Sequence, residues 1–412
     1  MTTSHDSKHD STGGAALARC TARTLTEFAE YWGRQALLSR ASELGGTFDD
    51  LLDTAAVDEL VSRRGLRTPF LRMAKEGSVL PAKQFTRGGG AGAGITDQVA
   101  DDKVLGQLAD GATLVLQGLH RTWPPLVRFG ANLAAELGHP VQINAYITPS
   151  QNRGFAPHYD VHDVFVLQVS GRKHWRIHPP VVRDPLENQN WEKFRDEVAA
   201  QAEGAPLIDC VLEPGDALYL PRGTIHAAEA LGETSIHLTV GIHPITRYQL
   251  VRNLLDRAQH DDALRESLPV GVDLGDPAVL GPHLTATIDA LRGYLEQAGV
   301  DELARDVADR LAAQTRPEPI APLAQLAAAD AVQADTALRL RGALRFRTSE
   351  DAERIEITML DRSLSLPLTA APALKTVLSG EVFTPAELPE LDADEQLVLA
   401  RRLLRGGVLV PA

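Results

Sequence analysis

The chain has 412 residues, a formal net charge of −14 and a sequence pI near 5.4. That length supports two or three domains, and that charge argues against nonspecific nucleic-acid binding while suiting a basic protein or peptide partner. Cys20 and Cys210 are the only cysteines, which excludes a disulfide framework and a cysteine-based zinc site. From Met1 to about Gly14 the chain is polar and lacks an apolar core region, so no signal peptide is expected. Residues 1–24 are expected to form a disordered N-terminus. No apolar run of about eighteen residues occurs, so no membrane span and a cytoplasmic location are expected.

Residues 25–68 read as helical, with Phe28, Trp32, Leu37 and Leu38 forming an apolar stripe. The glycine-rich stretch 88–92 lacks a following Lys-Ser/Thr and reads as a flexible connector. Between 112 and 243 strands dominate, at 112–116, 141–147, 164–169, 175–177, 217–220 and 235–242. Ser170-Gly171 and Pro214-Gly215-Asp216 read as turns between them. Many short strands with regular turns predict a small barrel or double-stranded β-helix.

From Thr246 the pattern becomes helical. Tyr248, Leu250, Val251, Leu254 and Leu255 make one stripe, and Leu284, Ile288, Leu291 and Leu295 another. A third helix is expected over 301–314, and Pro317, Pro319 and Pro322 mark a linker. Strands at 343–347 and 355–360, helices around 373–378 and 394–404, and an apolar tail at 408–410 follow in the order of a winged helix. From Ile320 onward 10 Lys and Arg stand against 13 Asp and Glu, so DNA binding is not expected.

Three residues then suggest a metal. His158 and Asp160 stand two apart, so on a strand both point to one face and can serve one ion. His226 lies about sixty-five residues further on, after a strand and the turn Pro221-Arg222-Gly223. Two imidazoles and a carboxylate can cap one face of an octahedral ferrous ion and leave positions open for a co-substrate and O2. The alternatives are structural polar residues in a sandwich core and a zinc hydrolase, although no general base sits beside the set. His162 shares strand parity with Asp160 and is a rival ligand, expected instead at the rim or in the substrate cleft. His174, His178, His237 and His243 read as surface or core histidines.

Lys173 is the second pointer. It alternates with Trp175 and Ile177, so its ammonium shares a face with bulky apolar groups and needs a partner if buried. A dicarboxylate such as 2-oxoglutarate would supply one, while its keto-acid end chelates iron. The alternative is a strand end reaching solvent. Gln142, Asn144, Tyr146 and Thr148 form a polar strand face, as do Ser235, His237, Thr239 and Gly241. Such faces fit either a hydrated co-substrate pocket, with Thr239 among its lining, or open solvent.

The motifs Gly154-Phe155-Ala156-Pro157-His158-Tyr159-Asp160, Asp163-Val164-Phe165-Val166-Leu167-Gln168, Gly171-Arg172-Lys173-His174-Trp175-Arg176 and Pro221-Arg222-Gly223-Thr224-Ile225-His226 resemble the JmjC ribosomal oxygenases of the cupin-4 group. The resemblance implies an α+β chain built from a double-stranded β-helix (cupin/JmjC barrel) at 25–245, a helical dimerisation domain at 246–316 and a winged-helix-like domain at 320–412. It implies an Fe(II)- and 2-oxoglutarate-dependent dioxygenase that uses O2 to hydroxylate an Arg or His side chain of a ribosomal or other basic protein, acting as a homodimer. It makes His158, Asp160 and His226 the iron ligands and Lys173 the partner of the co-substrate's far carboxylate, with Asn144 and Tyr146 lining that pocket. A peptide natural-product tailoring hydroxylase, a lysine demethylase and a non-catalytic metal-binding cupin scaffold are the other readings.

Overall fold

In the computed structural model, which describes residues 15–75, 77–150 and 156–412, a nine-stranded antiparallel sheet dominates the part of the chain before His243. Its strands are β1 (Leu37–Ser39), β2 (Leu71–Lys75), β3 (Ser78–Val79), β4 (Thr113–Leu116), β5 (Val141–Thr148), β6 (Asp163–His178), β7 (Ile208–Leu212), β8 (Ala217–Leu220) and β9 (Ile225–Ile242). They lie in the order β1-β8-β6-β9-β5-β4-β2-β3, with β7 beside β6.

Two long strands turn this sheet into a double-stranded β-helix. β6 has 16 residues and β9 has 18, about three times the usual strand length. The first half of β6 pairs with β8 and with the second half of β9; its second half pairs with β7 and with the first half of β9. The change comes at Gly171, whose φ is +65° and where an added Cβ would lie 2.3 Å from the Thr234 carbonyl oxygen. The register of β9 slips at the same level, between Leu231 and Ile236. This bulge bends both strands from one sheet into the other. The expected turn at Ser170-Gly171 is therefore a kink inside one continuous strand, and the expected strands 164–169 and 175–177 are its two halves.

Alternation then sorts the side chains. Val164, Val166, Trp175, Ile177, Leu212, Leu218 and Leu220 fill one end of the interior. On the outer face, Ile143, Ala145, Phe165 and Leu238 join the main core with Leu126, Phe129 and Leu133 of the helix Pro124–Leu137. That helix starts on proline and ends on left-handed Gly138, both favoured there.

Two expectations near the N-terminus are corrected. Ala15–Thr21 is helical, with Ala16, Leu17 and Cys20 buried and Glu136 accepting the amides of Ala16 and Leu17. The disorder expected for 1–24 thus does not hold for 15–21; residues 1–14 lie outside the described residues. The stretch 25–68 is not one helical region. Gly33, at φ +66°, breaks it, and Leu37 and Leu38 belong to β1, paired with β8. The glycine stretch 88–92 joins two paired strands, Thr86–Arg87 and Gln98–Val99.

Residues 244–314 form a compact unit of their own, with helices Arg247–Ala258, Pro277–Gln297 and Val300–Gln314. Arg257 ties the first to the third through Asp306 at 2.6 Å and Glu302 at 2.7 Å. Tyr248, Leu250, Val251, Leu255, Leu284 and Ile288 are exposed. Residues beyond 314 have their own apolar core of helices Pro322–Ala331, Ala371–Leu378 and Ala393–Arg405 under a three-stranded sheet (Arg347–Glu350, Arg354–Thr358, Ser363–Pro367). The apolar tail pairs as a strand, Leu409–Pro411, with Leu338–Leu340. Pro322 was expected in a linker but opens a helix, where a missing amide costs nothing. The strand expected at 343–347 starts only at Arg347. Among the described residues no helix is long and apolar enough to cross a membrane.

Candidate metal centre

The main chain brings the three predicted ligands together. His158 precedes β6 and forms an isolated bridge with His226: the His226 amide donates to the His158 carbonyl at 2.8 Å, and the reverse bond is 3.2 Å. The Gly223 amide donates to the Asp160 carbonyl at 2.9 Å. Gly223 has φ +84° and would put a Cβ 2.4 Å from the Val182 carbonyl, so only glycine lets this turn lie so close.

The side-chain ligand atoms of His158, Asp160 and His226 all lie within 4.8 Å of one another, and the His226 Nε2–Asp160 Oδ2 distance is 3.8 Å. His158 Nδ1 lies 2.7 Å from the Ala156 carbonyl and His226 Nδ1 lies 3.0 Å from that of Thr224. With each Nδ1 donating, each Nε2 keeps a lone pair for an ion, the usual way an outer partner fixes a ligating imidazole. Burial and the charge of His158 lower the His226 pKa, so its ring is neutral. Burial opposes the charge on Asp160, but His162, His226, His158 and Arg72 outweigh it and hold the carboxyl below its ordinary value. A neutral imidazole and an ionised carboxylate are the forms a metal needs.

Lys173 lies on the interior face, 3% exposed. Its Nζ donates to Thr148 Oγ1 at 3.1 Å, approaches His237 Nδ1 at 3.5 Å and sits 6.0 Å from the Trp175 ring. None of these is an acid. Burial alone drives its pKa from 10.5 to about 7. The strand-end alternative, an ammonium reaching solvent, does not occur.

Asn144 is buried, and its Oδ1 accepts from the Gly118 amide at 3.0 Å. Thr239 pairs in register with Asn144, and His237 with Tyr146. The Tyr146 and His237 rings stack at 5.1 Å. His237, expected among ordinary histidines, is thus part of the pocket wall beside Lys173. His162 stays outside the ligand cluster, edge-on to His243 at 5.0 Å. His174 pairs with Asp209 at 2.5 Å, and His178 is buried at the end of β6. Gly154 and Phe155 of the first motif lie outside the described residues.

One pocket residue escaped the sequence reading. Arg72 of β2 faces inward between the fully buried Leu71 and Met73, and its guanidinium hydrogen-bonds Tyr146. The pattern Leu71-Arg72-Met73 was the available signal, a charge alternating with core residues. Tyr159, which alternates with the two ligands His158 and Asp160, packs with Val198 and Ile225 in a small apolar cluster, and Trp191 lies 6.1 Å from the His158 ring.

A double-stranded β-helix with two imidazoles and a carboxylate gathered at one end is the architecture of the JmjC class, and residues 125–250 match the JmjC domain family. The chain is similar to the bifunctional lysine-specific demethylase and histidyl-hydroxylase NO66 of Drosophila mojavensis, 30% identical over 60% of this chain and 27% of that one. Ribosomal oxygenase 2 of Mus musculus is 34% identical over 47% of this chain and 42% of its own length. The chain thus spans less than half the length of these relatives. Its fold follows that of YcfD, a ribosomal oxygenase from Escherichia coli solved with cobalt and 2-oxoglutarate, with a TM-score of 0.52, 19% identity and coverage of 95% of this chain and 99% of that one.

Proposed function

We propose that this chain is an Fe(II)- and 2-oxoglutarate-dependent oxygenase that hydroxylates a side chain of a ribosomal or other basic protein. The observation that carries the reading is Lys173: a buried ammonium with no acidic partner among the described residues, in the same barrel as a ready metal triad. A buried cation is kept where an anion joins it, and a dicarboxylate co-substrate is such an anion. His158, Asp160 and His226 would hold the metal. The nitrogen and oxygen donor set suits ferrous iron, as the neighbour bound to cobalt and 2-oxoglutarate supports.

The bound metal and co-substrate would supply the oxidation: one oxygen atom of O2 enters a C–H bond to give C–OH, the other enters succinate, and CO2 leaves. The chain's own residues do the positioning. Lys173 and Thr148 hold the far carboxylate. Asn144, Tyr146 and Thr239 line the co-substrate pocket, and Trp175 keeps its inner wall dry. The net charge of −14 attracts a basic substrate, and proteins named ribosomal oxygenase among the relatives support a ribosomal one. The exposed apolar stripes of 244–314 support a homodimer built on those helices.

The test is Asp160→Ala, with succinate formation and Mn(II) binding measured on the purified chain. Both should be lost, by at least about a hundredfold for the metal. Undiminished 2-oxoglutarate turnover in this variant would refute the ligand assignment.

A further inference from the structure

We infer that Asp163 is a positioning residue for the metal centre: its carboxylate holds the Pro221-Arg222-Gly223 turn that sets Asp160 against His226. That role presupposes the metal triad of the proposed function, because it acts on ligands of the same ion.

The ladder of β6 and β8 shows why such a residue is needed. Val164 pairs with Leu220 and Val166 with Leu218. One step further, the antiparallel register would set Asp163 opposite Pro221, and there the pairing ends. Proline has no amide to donate, so the main chain cannot carry the ladder through this position. The Asp163 side chain takes over. Its Oδ1 accepts the next amide, that of Arg222, at 3.2 Å, and the Tyr219 hydroxyl at 3.0 Å. Tyr219 is itself fixed, since its hydroxyl accepts the Gly33 amide at 2.9 Å. Asp163 is 1% exposed, so water does not compete for these donors.

Two successive amides of the turn are thereby tied to one short segment. Asp163 takes the amide of Arg222, and the Asp160 carbonyl takes that of Gly223 at 2.9 Å. The Thr224 amide closes the turn on the Pro221 carbonyl at 3.1 Å, and His226 lies just beyond, at the start of β9. Asp163 therefore fixes the entry of the segment whose middle grips Asp160 and whose end delivers His226. Their ligand atoms stand 3.8 Å apart, and a geometry of this kind holds only as well as the hydrogen bonds behind it. The charge of Arg222 also bears on Asp163, so the buried carboxylate has a cation on the turn it holds.

The two bonds to Asp163 Oδ1 divide a positioning role from a structural one. Tyr219 belongs to the core, packed against the rings of Phe28 at 4.9 Å and Phe165 at 5.2 Å. The Arg222 bond belongs to the turn. Tyr219→Phe removes the first alone, whereas Asp163→Ala removes both.

The experiment titrates the metal-stripped full chain with cobalt(II) chloride, reading the dissociation constant by calorimetry, the visible absorption of bound cobalt, and the melting temperature of each variant. Asp163→Ala should weaken cobalt binding by about tenfold to a hundredfold and alter the visible bands. Asp163→Asn keeps an acceptor oxygen for the Arg222 amide and should retain wild-type affinity and bands. Tyr219→Phe should melt lower than wild type with both cobalt readouts unchanged. Wild-type affinity and bands in Asp163→Ala overturn the inference. So does an Asp163→Asn variant as impaired as Asp163→Ala, or a Tyr219→Phe variant that loses cobalt to the same extent. Should Asp163→Ala fail to fold, Asp163→Glu replaces it: the longer side chain keeps the acid but displaces the acceptor, so weakened binding is expected and wild-type binding overturns the inference. A wild type that binds cobalt no better than Asp160→Ala refutes the metal triad itself.

Discussion

Replacing Lys173 with methionine should stabilise the ligand-free protein while abolishing co-substrate binding. Burial lowers the Lys173 pKa from 10.5 to about 7 in the fold. The unfolded chain keeps the ordinary value, so between those limits it binds more protons than the native state. Stability therefore rises with pH from about 7 toward 10.5, and the full penalty is present below 7. At neutral pH that penalty is about 4 kcal/mol. Methionine has similar volume and no charge, so it removes the penalty and forfeits only the bond to Thr148, about 1 kcal/mol. Thermal melts of both proteins with chelator present should show a higher Tm for Lys173→Met and a flatter pH dependence between 7 and 10. With Mn(II) and 2-oxoglutarate added, only wild type should shift upward. The wild-type affinity for 2-oxoglutarate should fall about tenfold per pH unit once the ammonium deprotonates above 7. A variant that melts lower than wild type without ligand, with its pH curve unchanged, would show that Lys173 is a structural contact and would refute the reasoning.

Gly171→Ala should lower the denaturant midpoint by an amount equal to roughly 2–4 kcal/mol, since the new Cβ would press on the Thr234 carbonyl in left-handed backbone. An unchanged midpoint would show that the crossing of β6 and β9 tolerates a different path. In the helical unit, Leu284 and Ile288 lie one turn apart on Pro277–Gln297, both exposed. Ile288→Glu should convert a dimer to a monomer in light scattering while leaving the helical circular-dichroism signal intact. A monomeric wild type at micromolar concentration would remove the proposed dimer.

The triad was legible because its signal is local: His158 and Asp160 share parity, and a proline-glycine turn delivers His226. Lys173 was legible for the same reason, as the alternation with Trp175 and Ile177 sets its face regardless of which strand lies next to it. Arg72 was not, because its bond to Tyr146 appears only once β2, β4 and β5 are laid side by side. No window along the chain holds Arg72 and Tyr146 together. β1 was misread because apolar Leu37 and Leu38 fit a helical stripe as well as a three-residue strand, and pairing with β8 decided the matter. The strand β7 and the first half of β9 were missed, since Cys210 and the polar run after Ala227 lack clean alternation. The kink at Gly171 was read as a turn because glycine marks both, and only the partner strand tells a bulge from a reversal.

The placement of the triad and Lys173 on and beside β6 and β9 holds them in fixed relation. β6 carries Lys173 and β9 carries both His226 and His237, and the two strands are paired on either side of the Gly171 kink. His226 faces Ile177 and Lys173 faces Ala230 in one continuous ladder, so the spacing between His226 and Lys173 is set by main-chain hydrogen bonds. His158 joins that ladder through its amide–carbonyl bridge with His226, and the Gly223 amide donates to the Asp160 carbonyl. A substitution that shifts β9 by one residue would turn His226 and His237 outward together and lose metal and co-substrate in a single step.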